Sequence, residues 1–140
     1  MSFKQILLLV GSLLACQAHA ANWALVDSNS ESKIFLDTES VRRNGSKVKV
    51  WIKWSHSAPV AAKNTYPEKQ YQSSKSLDIY DCSDRSSASI QFILYADADG
   101  GEVVKSDSIP ERLASFREVV PDSIGEAILE AACKRSGSKK

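Results

Sequence analysis

The 140-residue chain is poor in the residues that carry out chemistry, with two histidines, three cysteines and one methionine. His19 and Cys16 fall within the first twenty residues, leaving His56, Cys82 and Cys133 in the body. These three lack the paired spacing that a zinc site needs. No Gly-x-Ser-x-Gly surrounds Ser123, and no acid–base or nucleophile constellation stands out in the chain. After residue 20 no apolar run is long enough to span a bilayer. Charge of neither sign dominates, since the formal net charge is +1 and removing Lys4 leaves the rest neutral. Lys134, Arg135, Lys139 and Lys140 gather positive charge in the tail, so the body is mildly acidic. Binding to a nucleic-acid backbone wants a clustered positive face, and this balance excludes it.

What is present begins with an export signal over residues 1–20. Lys4 is followed by the apolar run Ile6 to Ala15, then by Ala18-His19-Ala20, which suits cleavage after Ala20. A competing reading takes Leu13-Leu14-Ala15-Cys16 as a lipobox, making the chain an outer-membrane lipoprotein anchored through Cys16. Leu14 stands where that pattern prefers a smaller residue. Both readings place the protein outside the cytoplasm, in the periplasm or at the cell surface, with membrane attachment only if Cys16 is lipidated.

In either case Cys82 and Cys133 remain as an even pair in an oxidising compartment, and a disulfide between them is the expectation. The alternative is two free buried thiols acting as small hydrophobes. The bond would close a loop of about fifty residues, for which chain entropy suggests roughly 4 kcal/mol.

Residues 21–135 read as one domain, and 136–140 as a disordered basic tail. Short strands are expected at Asn22 to Val26 and Lys33 to Asp37, with an Asn44-Gly45 turn after them. Val48, Val50, Ile52 and Trp54 then alternate with Lys47, Lys49, Trp51 and Lys53, a strand with its first set on the core. Ser55 to Gln70, with Pro59 and Pro67, reads as a long surface loop. A central strand runs into Cys82, another covers Ser89 to Tyr95, and a last one covers Glu102 to Lys105. Pro110 to Val120 shows no clear pattern. Ser123 and Glu126 form a capping box ahead of Ile124, Ala127, Ile128, Ala131 and Ala132, the apolar stripe of a helix that ends at Cys133. The class is α+β, an antiparallel meander of about six strands with a C-terminal helix packed on one face.

Asp97-x-Asp99-Gly100 looks like part of a calcium loop, but the glycine register puts Tyr95 first and Ser106 last, where carboxylates are required. A hairpin turn accounts for it better. His56 reads as a solvent-exposed loop histidine, and Ser123 as a helix cap. Lys49, Trp51 and Lys53 are the candidate interaction face, because exposed aromatics flanked by cations suit interfaces.

Three clusters, taken in order, resemble the surface-adhesin protein E family of small exported bacterial proteins. They are Asp81-Cys82-Ser83-Asp84-Arg85, then Ile93-Leu94-Tyr95 leading to Asp99-Gly100, then Pro121-Asp122-Ser123-Ile124-Gly125-Glu126 ending at Cys133. Trp23, Leu36-Asp37 and the Val48 to Lys53 strand extend the match over most of the mature chain. The resemblance implies an antiparallel sheet backed by helices and a non-catalytic binding or adhesion module. Its partner would be a protein ligand, such as a host matrix or other envelope protein, or a second copy in a homodimer. No cofactor or metal is implied. The alternative is a small hydrolase-like periplasmic enzyme whose site the sequence does not display.

Overall fold

The computed structural model describes residues 20–135, and apart from Ala20 the expected leader, Cys16 and the tail 136–140 lie outside the described residues. Among the described residues there are eight strands: β1 (Trp23–Ser28), β2 (Ser32–Asp37), β3 (Arg42–Asn44), β4 (Lys47–Ala62), β5 (Lys69–Asp81), β6 (Ser86–Tyr95), β7 (Val103–Ser108) and β8 (Arg117–Glu118). They are followed by helix α1 (Ile124–Arg135). The sheet is antiparallel in the order β1-β2-β4-β5-β6-β7, with β3 added beside β4 and β8 beside β6. The six-strand meander is therefore present, and the two short strands supplement it.

Period-two alternation decides which side is filled. Val48, Val50 and Ile52 on β4 and Ile34 and Leu36 on β2 are fully buried, and they share a core with Tyr80, Ile128, Leu129 and Ala132. Burying side chains of this size contributes about 1.5–3 kcal/mol each. The 12-residue helix lies across this face. Its start is fixed by the Ser123 hydroxyl, which accepts from the Glu126 amide at 3.2 Å. The return bond of the capping box is shifted by one residue, with the Asp122 amide donating to Glu126 Oε2 at 2.8 Å. Lys134 and Arg135 in the last turn suit the negative end of the helix dipole.

The expected Ser55 to Gln70 loop is mostly strand. β4 and β5 form one long hairpin, paired from Lys47↔Asp81 to Ala62↔Lys69 with an irregularity between Ser55 and Val60. Pro59 sits inside that irregularity, where no ladder bond asks for its missing amide proton. Only residues 63–68 turn, closed by Thr65 Oγ1 donating to the Ala62 carbonyl and accepting from the Lys69 amide. Pairing with β2 stops at His56 and pairing with β6 stops at Ser73, so the tip extends beyond its neighbours. It meets β6 and β7 through a shallow cleft lined by Val60, Tyr71, Phe92 and Leu94, with Lys105 Nζ donating to the Lys63 carbonyl at 3.1 Å. His56 is correspondingly not a loop residue. It lies on β4 with its ring between Trp54 at 6.3 Å and Tyr71 at 5.6 Å.

Cys82 and Cys133 are joined, with their Cα atoms 5.8 Å apart. The same β5–β6 turn reaches the other end of the helix through Arg85, which pairs with Glu126 and lies 3.8 Å from Glu130. Removing the disulfide by Cys133→Ser is expected to cost about 2–5 kcal/mol, measured by denaturant unfolding under non-reducing conditions. Ile52→Ala is expected to cost a similar 2–5 kcal/mol by opening a cavity beneath the helix.

Candidate functional site

The opposite face of the sheet is where the candidate residues fall. Lys49, Trp51 and Lys53 all point there, and each is half-buried rather than free in solvent. The three do not share one environment. The segment between β7 and α1, unassigned from sequence, crosses the Lys49 end as a single 3-10 turn, Glu111–Leu113, followed by β8. Glu111 accepts from Lys49 at 2.8 Å, and Phe116 lies 4.6 Å from Lys47 Nζ. An exposed pair of this kind contributes about 0–1 kcal/mol. The second face is thus not wholly open, because this crossing covers one end of it.

The Trp51–Lys53 end stays open, and the register assembles a larger group there. Phe35, Lys53, Lys75 and Ile93 stand in one row across β2, β4, β5 and β6. Trp51, Leu77 and Gln91 form the next row. The Trp51 amide is satisfied by Ser40 Oγ at 3.0 Å, in the gap between β2 and β3. Lys53 Nζ lies 4.7 Å from the Phe35 ring centre and 5.0 Å from that of Trp23. Lys75 Nζ lies 5.1 Å from Tyr95 and 5.8 Å from the same Trp23 ring. Partial burial, then the neighbouring Lys75 charge, lowers the Lys53 pKa, while Asp99 opposes this.

Trp23, Phe35, Lys75 and Tyr95 were not singled out as site residues from the sequence. Phe35 does alternate with the core residues Ile34 and Leu36, which was signal enough for its face. Nothing local placed Lys75 opposite Lys53.

Asp97, Asp99 and Gly100 form the turn beside this group. The Asp97 carboxylate accepts from the Asp99, Gly101 and Glu102 amides at 2.9–3.0 Å, and these bonds hold its pKa down to about 2. The acidic pattern closes a hairpin, and Gly100 supplies its positive φ of 82°. Among the described residues no cluster of His, Cys, Asp or Glu could hold a metal ion. Ser123 caps its helix.

Asp78 is partly buried and faces the helix side between β4 and β6. Its Oδ2 accepts from Ser76 at 3.0 Å and Tyr80 at 3.2 Å. Its Oδ1 is buried without a well-formed bond, with Ser89 opposite on β6. Burial raises the Asp78 pKa, and the Ser89, Ser76 and Tyr80 hydroxyls offset this in part. Burial and the Asp78 charge raise Tyr80 well above its usual range.

The fold is an open antiparallel sheet with one face covered by a helix and an aromatic and lysine row on the other. The chain belongs to the surface-adhesin protein E family, whose model matches residues 23–134. Solved structures with a similar fold include crystal form II of Haemophilus influenzae protein E, at 14% identity and a TM-score of 0.56. That match covers 85% of this chain and 99% of that one. The selenomethionine form of the same protein is similar at 13% identity and a TM-score of 0.54, over 85% and 95% of the two chains. No curated protein sequence matches this chain. Among the described residues no helix is long and apolar enough to cross a membrane.

Two measurements check these environments. A raised carboxyl pKa favours the folded state fully below the unfolded value of 3.8, and this advantage is lost as pH rises through the folded value. Asp78→Asn is therefore expected to raise the melting temperature at pH 7 and to change it little at pH 4. Lys75→Gln removes the second cause of the Lys53 shift, so the Lys53 amine is expected to titrate at higher pH by NMR.

Proposed function

We propose that this chain is an exported, non-catalytic adhesion module whose open sheet face engages a protein partner, in the first instance a second copy of itself. The observation that carries the reading is the uncovered end of the second face, where Trp51, Lys53, Phe35, Trp23 and Lys75 lie together half-buried. Aromatic side chains are enriched at interfaces, where large rings contribute contact area at low entropic cost. Membership of a surface-adhesin family supports a binding role and an exported location. Export by cleavage after Ala20 leaves a soluble module, whereas lipidation of Cys16 would hold it at a membrane.

Sedimentation tests the reading. The wild-type protein is expected to self-associate, and Trp51→Ala to weaken that association by about tenfold or more while the domain stays folded. A wild type that is monomeric at high concentration, together with a Trp51→Ala variant as unstable as Ile52→Ala, would make Trp51 a core residue and end the proposal.

A further inference from the structure

Lys53 and Lys75 stand directly opposite one another on neighbouring strands, an arrangement in which like charges destabilise a sheet. Both are half-buried. Among the described residues no ion pair joins either ammonium to a carboxylate. Asp99 acts on Lys53 only through space. The rings of Trp23, Phe35 and Tyr95 hold the two ammonium groups, yet a ring cancels no charge. Two cations fixed in place and partly stripped of water lack only an anion.

The surroundings narrow the kind of anion. Lys49 is already neutralised by Glu111, and the next row offers Trp51, Leu77 and Gln91. Lys33, one row beyond, is exposed. A sulfated polysaccharide calls for a repeated track of cations, whereas here the charge is confined beside an apolar strip. An acidic peptide segment with an apolar side chain fits both parts. The chain presents such a segment on its own surface. Glu118, Val120 and Asp122 are all exposed, Val120 to 67%, just before the helix.

We infer that the Lys53–Lys75 pair is a carboxylate-binding site, and that its occupant is the Glu118–Asp122 segment of a second copy, with Val120 set against Trp51 and Leu77. This rests on the reading of the face as a self-association surface.

Charge reversal on the two sides separates the possibilities. Lys53→Glu/Lys75→Glu and Glu118→Lys/Asp122→Lys are each expected to weaken self-association by about tenfold or more, with melting temperatures near that of the wild type. Mixed in equal amounts, they are expected to regain wild-type association, because both contacts of a two-fold dimer are then attractive. Should a reversal impair folding, the glutamine versions of the four substitutions test the loss of association, with one of the two contacts restored on mixing. Retained association in either variant, or absence of rescue on mixing, overturns the assignment. Wild-type protein that associates and is disrupted by Trp51→Ala but by neither charge variant keeps the face as the interface and removes only the carboxylate site. A monomeric wild type that binds a heparin-derived oligosaccharide through Lys53 and Lys75 replaces the inference with a polysaccharide site.

Discussion

The β5–β6 turn holds both ends of the only α-helix among the described residues, and the sealed face of the sheet depends on that grip. Cys82 fastens the last turn of α1 through the disulfide, and Arg85 reaches Glu126 and Glu130 nearer its start. A helix of twelve residues is marginal by itself in water. Held at two points, it lays Ile128, Leu129 and Ala132 over Val48, Val50 and Ile52. The covalent tie acts chiefly by limiting the unfolded chain. The ion pairs act mainly by fixing direction, since exposed pairs contribute little energy.

Sealing one face commits the other. A single sheet has two sides, and period-two alternation on β4 sends Lys49, Trp51 and Lys53 away from the helix. The crossing segment between β7 and α1 then divides that second side. It neutralises Lys49 through Glu111 and sets Phe116 4.6 Å from the exposed Lys47 ammonium, while Lys53 and Lys75 are left beside aromatic rings with no ion pair to either among the described residues. The asymmetry between the two ends, more than the presence of lysines, makes one end a candidate for recognition.

Two stretches read differently from sequence than they fold, for opposite reasons. Residues 55–62 carry Pro59 and several polar side chains, which are loop signals. The ladder resumes beyond a bulge that absorbs the proline, so strand continues. Pro110 to Val120 has apolar residues without period, and its structure is set by what it crosses: Lys49 holds Glu111, and the edge of β6 pairs with Arg117 and Glu118. Local pattern is silent where partners are non-local.

The alternation on β4, the helix stripe from Ile124 to Cys133, the even cysteine pair and the family resemblance were all legible in the sequence. Each depends on residues close in the chain or on simple parity. Lys49, Trp51 and Lys53 were legible as a face for the same reason. Tertiary structure alone decided which of the three stays available, because that depends on a segment more than sixty residues away, with Glu111 against Lys49 at a separation of 62. It also decided that Lys53 meets Lys75. Side-chain direction follows from a two-residue period within one strand, but the residue opposite follows from hairpin register, and here that register passes through a bulge no local pattern announces.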